Sequence, residues 1–154
     1  VQQFLRNVAW GDVDFLILDL PPGTGDIQLT IVQTAELDGV VVVTTPQEVA
    51  LIDARKAIGL FERVETPILG IIENMSYFQC PSDGKIYHIF GEGGGEREAA
   101  KLGVPLLGKI PLDISTRFGG DEGRPVALED PGQNPVSAAF RQVAEQCARV
   151  VLDR

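Results

Sequence analysis

The sequence predicts an α/β fold, a mostly parallel sheet with helices on both faces, and two observations carry that prediction. Four short apolar runs rich in β-branched residues, at 15–18, 40–44, 68–72 and 105–110, are each bounded by turn residues, as buried strands are. Helical stretches with one apolar face lie between and after them. Alternating strand and helix builds right-handed βαβ units, whose ligands sit beyond the carboxyl ends of the strands. With 154 residues, 44% of them hydrophobic, the chain can form one core. No linker or internal repeat divides it, so 1–154 is expected to be a single unit.

In chain order, residues 1–10 read as an amphipathic helix end, and the run 15–18 as a strand ending at Asp19. A helix follows from Ile27, with Asp26 as its N-cap. After the strand at 40–44, residues 47–64 place Ala50, Ala54, Ala57, Ile58, Phe61 and Val64 on one face at helical spacing. The next strand, 68–72, is followed by a stretch at 77–90, containing Cys80-Pro-Ser-Asp83-Gly, that reads as an exposed hairpin or flap. The glycine-rich 91–96 follows no buried strand and lacks a Gly-Lys-Ser/Thr ending, so it reads as a flexible hinge, not a phosphate cradle. Beyond the strand at 105–110, Asp113 suits the cap of a helix beginning at Ile114. The last helix is expected over about 136–152, with Val136, Phe140, Val143, Cys147 and Val150 buried and Pro135 at its start.

Composition narrows the function. A net charge of −9 and a pI near 4.5 leave no basic surface to neutralise nucleic-acid phosphates. No apolar run approaches the ~20 residues needed to cross a bilayer, and no signal peptide is visible, so a soluble protein is expected. Two widely separated cysteines do not form a disulfide framework, which suits a reducing, cytoplasmic setting.

The chemistry concentrates at Asp-Leu-Pro-Pro-Gly-Thr-Gly-Asp, residues 19–26. Phosphoryl transfer needs a carboxylate for hydrated Mg²⁺ and a backbone N–H that can touch the γ-phosphate. Asp19 supplies the first, and Gly23 and Gly25 let the backbone approach a phosphate closely, while Pro21 and Pro22 restrict the path. Asn74, after the third run, reads from its own chemistry equally as a turn former or a base reader. Cys147 reads as a small buried thiol, and His88, the sole histidine, as flap surface that excludes any multi-histidine site. Asp53, Arg55 and Lys56 read as a solvated charged face.

These segments resemble the Mrp/ApbC group, MinD-like ATPases with a deviant Walker A motif. The matching stretches are Trp10-Gly11, 19–26, Thr-Thr-Pro-Gln at 44–47 with 50–56, Glu-Asn-Met-Ser at 73–76, Ile-Phe-Gly at 89–91, and 108–113. The resemblance implies a P-loop NTPase fold related to the nitrogenase iron protein, acting as an ATP-dependent iron-sulfur cluster carrier or scaffold. By it, Asp19 is the Walker B-like aspartate holding Mg²⁺ through water, and Gly23 belongs to a switch coupling ATP hydrolysis to a dimer interface. Asn74 reads the adenine edge, Pro111 packs against the base, and Cys80 holds a [4Fe-4S] cluster bridging a homodimer that delivers to apoproteins. The family's Cys-x-x-Cys is broken here. Asp83 stands where the second thiolate is expected, and a hard oxygen donor suits iron-sulfur less well.

A Gly-Lys-Ser or Gly-Lys-Thr loop occurs nowhere in these residues. The chain therefore resembles the C-terminal part of a P-loop domain, beginning inside a helix, and by itself is expected to hydrolyse ATP negligibly. A second reading, from another class, is a MinD/ParA-like switch whose ATP-driven dimerisation recruits a protein partner without binding a cluster.

Overall fold

The computed structural model describes residues 2–21, 23 and 25–153. Pro22 and Thr24 of the predicted phosphate-sensing loop lie outside the described residues. Helix α1 spans Gln2–Asn7 and α2 Asp26–Thr34. Strand β1, Val40–Thr44, leads to α3, Glu48–Arg63, and then to β2, Ile68–Glu73. A hairpin of β3, Phe78–Gln79, and β4, Ile86–Tyr87, precedes α4, Gly94–Leu102, and β5, Leu106–Lys109. Helix α5, Ile114–Asp121, a short 3₁₀ turn at Val126–Leu128 and α6, Pro135–Leu152, complete the chain.

The sheet is parallel in the order β1-β2-β5. β2 is central and buried from Leu69 to its end, because helices cover both of its faces. Alternation along the strand sends Ile71 and Ile72 to opposite sides. Ile71 packs with Val42, Ala54, Ile58 and Ala99, under α3 and α4. Ile72 packs with Leu107, Ile110 and Val143, under α6, with Phe140, Cys147 and Val150 at the margin. Leu51 and Ile71 are almost fully buried, each contributing about 1.5–3 kcal/mol by leaving water. The sheet and its two helical layers bear out the α/β prediction, and α6 begins with Pro135 behind an Asn134 cap.

Three expectations are corrected. The run 15–18 forms no strand: Phe15, Leu16 and Ile17 are exposed, Ile17 at 88%. Its apolar residues have no neighbour to pair with, since β1 pairs only with β2 among the described residues. Residues 91–96 are no hinge. Gly94 and Gly95 are buried in the first turn of α4, and a Cβ on Gly94 would lie 2.2 Å from the Pro46 carbonyl oxygen. Gly94 and Gly95 are there for close approach, not for flexibility, while Gly91 and Gly93 take left-handed backbone, at φ +90° and +67°. Nor is Arg55 merely solvated. Its guanidinium grips the buried Glu98 at 2.9 and 2.6 Å and also reaches Glu48 at 2.6 Å, tying α3 to α4, whereas Lys56 and Asp53 do form an exposed pair.

No helix among the described residues is long and apolar enough to cross a membrane.

Candidate functional site

Because the strands are parallel, the carboxyl ends of β1, β2 and β5 lie at one edge of the sheet. The Asn74 N–H donates to the Thr44 carbonyl at 2.7 Å, joining the ends of β1 and β2. Residues 110–112 run alongside 73–78: Ser76 N–H donates to Ile110 O at 3.0 Å, and Leu112 N–H to Tyr77 O at 2.7 Å. Asn74 and Pro111, both half-buried, are thereby brought to neighbouring positions. The Asn74 Oδ1 accepts from the Met75 N–H at 2.9 Å. Met75 itself takes a left-handed φ of +53°, uncommon for a side chain of its size.

The 19–25 segment is held differently from the expectation. With no strand before it, Asp19 is solvent-exposed and not sunk at a sheet mouth. Gln28, buried in the first turns of α2, donates its amide to Pro21 O at 2.7 Å and to Gly23 O at 2.9 Å, clamping the loop onto the helix. Sequence reading missed Gln28, which carries no motif. Only its position one turn into a helix behind two glycines could have drawn notice. Gly23 has φ +96° with open space where a Cβ would be. Gly25, not Asp26, is the N-cap of α2, and Asp26 is its first helical residue, where an acid still suits the positive end of the helix.

The flap is the hairpin expected at 77–90. Its tip is closed by Cys80 N–H to Lys85 O at 2.9 Å and Gly84 N–H to Cys80 O at 2.8 Å, and its root is anchored by a bridge between Phe78 and Leu112. The Cys80 thiol lies 3.1 Å from the Ser82 hydroxyl. That hydroxyl, followed by the Ser82 and Asp83 N–H groups, pulls its pKa down, favouring the thiolate that binds iron or attacks electrophiles. The Asp83 carboxylate accepts from Lys85 N–H at 3.0 Å, which together with the neighbouring thiol lowers its own pKa. Cys147 has its pKa raised by burial, as a packed thiol should. His88 is exposed flap surface, as expected, with Nδ1 3.4 Å from Ser76 O and Nε2 3.6 Å from Glu92 at the base of the hairpin. Among the described residues no three His, Cys, Asp or Glu side chains converge to hold a metal within one chain.

Residues 1–148 match the family described as ParA: NUBPL iron-transfer P-loop NTPase. The chain is 50% identical over 146 residues to the iron-sulfur cluster carrier protein of Pyrococcus furiosus, covering 95% of this chain and 49% of that one. Among solved structures, a nucleotide-binding protein from Archaeoglobus fulgidus in complex with ADP is similar at a TM-score of 0.72 and 45% identity, over 80% of this chain and 51% of that one. The cell division ATPase MinD of Pyrococcus furiosus is similar at 0.56 and 26% identity, over 73% of this chain and 43% of its own. The chain spans about half the length of the curated relatives it matches.

Proposed function

The chain belongs to the ParA-type iron-transfer P-loop NTPases, and on that premise we propose that the whole protein is an ATP-dependent iron-sulfur cluster carrier that works as a homodimer and delivers to apoproteins. The observation that carries this reading is Cys80, a half-buried thiol set 3.1 Å from the Ser82 hydroxyl at the tip of a hydrogen-bonded hairpin. That hairpin is rooted at the same strand edge as Asn74 and Pro111. Cargo and nucleotide would then meet one continuous piece of backbone.

ATP is the substrate that drives the cycle. Asn74 is assigned the adenine edge through its carboxamide, and Pro111 the apolar contact to the base. Asp19 offers one exposed carboxylate, a fit to Mg²⁺, which keeps several waters and takes its other oxygens from phosphates. The ion would supply charge neutralisation for phosphoryl transfer. Gly23, with its left-handed backbone, is assigned the γ-phosphate contact, and Gly25 the close passage of the backbone beside the phosphates.

The cluster is the cargo. Each chain brings one thiolate at Cys80, so two chains bring two, and a [4Fe-4S] cluster takes four ligands. The two unfilled positions suit release to an acceptor. Anaerobic reconstitution of the full-length protein, with iron and sulfide analysis and visible absorption, tests this: wild type takes up cluster and Cys80→Ala does not. Absence of cluster from wild type sinks the carrier reading.

One observation favours the switch reading. The Asp83 carboxylate is already occupied as the former of its own turn, through Lys85 N–H, and adds no thiolate. A ParA-like switch predicts ATP-dependent dimerisation of the full-length protein, measured by light scattering, with no iron uptake.

A further inference from the structure

Glu73 is fully buried at the end of the central strand. Its Oε1 accepts from the Ser76 hydroxyl at 2.5 Å, and its Oε2 from the Gly95 N–H at 2.6 Å. Ser76 is where the chain enters the flap, and Gly95 lies in the first turn of α4, where the chain has returned from it. One carboxylate therefore holds both ends of the segment that bears Cys80. The left-handed Met75 makes this possible, turning the chain so that Ser76 folds back over Glu73. The backbone of the same residue is fixed too: its carbonyl accepts from Ile110 N–H at 2.9 Å, and the next residue, Asn74, is bonded to Thr44.

The buried site leaves this arrangement little slack. Both bonds are short and shielded from water, where a lost partner leaves a stranded polar group. Gly95 lies tight against the carboxylate side chain, so close that a Cβ there would stand 3.1 Å from the Glu73 Cβ. A shift of Asn74 along the strand axis must move Glu73, and Glu73 must carry Ser76 and Gly95 with it.

We propose that Glu73 is a positioning residue that couples occupancy of the nucleotide site at Asn74 to the exposure and reactivity of Cys80. The proposal rests on the reading of Asn74 as a nucleotide contact. Coupling of this kind is a difference in free energy between two states of one element, and typical values change a property about 5-fold or more.

The test uses the full-length protein. The rate at which iodoacetamide alkylates Cys80 is followed by mass spectrometry of the flap peptide, with and without Mg-ATP, alongside binding of a fluorescent ATP analogue. Wild type is expected to change its alkylation rate about 5-fold or more on adding Mg-ATP. Glu73→Gln, whose amide sets a donor against one of the two donors now bound, is expected to bind the analogue yet lose that response. Ser76→Ala, which removes one tie and leaves the carboxylate intact, is expected to lose part of it and serves if Glu73→Gln does not fold. A purely structural Glu73 would lower the melting temperature and leave the response in place. A response retained in Glu73→Gln, or in Ser76→Ala where Glu73→Gln does not fold, overturns the proposal, as does a wild type that binds nucleotide with no change at Cys80. In either case the nucleotide reading stands, whereas a wild type that binds no analogue removes both.

Discussion

Cys80 and Asp83 share one tight turn, and their chemistry differs in the way that matters for iron. Asp83→Cys would place a second thiolate beside the first. The cost is the hydrogen bond that Asp83 accepts from Lys85 N–H, a modest one at an exposed turn, so the hairpin should survive. The expected outcome is a reconstituted full-length protein whose cluster resists an iron chelator about 10-fold longer or more, the scale on which changes around metal ligands act. Loss of visible absorption over time measures it. Cys80 and Asn74 could be singled out in the sequence because each belongs to a spaced motif. Gln28 and Glu73 could not. Their importance comes from being buried against backbone groups distant in sequence, which no local pattern encodes.

The α3–α4 tie shows what governs elements here. Arg55 first, and Lys101 after it, hold the Glu98 carboxyl down at about 2, against an ordinary 4.5. A depressed folded-state pKa stabilises the protein in full above about 4.5, and that contribution is lost as pH falls from there through about 2. Glu98→Gln is expected to lower stability at neutral pH by roughly 1.5–3 kcal/mol, toward the low end because Arg55 is 38% exposed and keeps Glu48. It should also flatten the acid limb of the stability curve, with urea unfolding across pH as the measurement. Strands and long helices were readable because apolar periodicity reports burial directly. Failures came where partners decide. The run 15–18 has the composition of a strand without a neighbour to pair with, and 91–96 has the composition of a hinge but is packed against Pro46 and Glu73.

As a whole, the described residues form a three-stranded sheet whose β1 edge is unpaired among them, with Val43 at 59% exposure on that strand and Val13, Phe15, Leu16 and Ile17 also open to solvent. Burial of a side chain as exposed as Ile17, at 88%, would add about 1.5–3 kcal/mol, and of the half-exposed ones correspondingly less. Neither the sequence nor these residues contain a lysine-bearing phosphate loop. The 154-residue chain by itself is therefore expected to release no measurable phosphate from ATP; robust turnover that disappears in Asp19→Ala would overturn this. The family and fold were readable from ordered motifs spread over nearly the whole chain, while the exposed apolar surface was not, because burial depends on neighbours that a sequence does not display. The packing of Gly94 beneath Pro46 carries a lesson for anyone building on this scaffold. Inserted tags, linkers or randomised codons look safest in a glycine run, yet here that run has no room for a single extra carbon at Gly94, whereas Gly84 in the flap opens onto empty space and its left-handed backbone is the chief constraint on what replaces it.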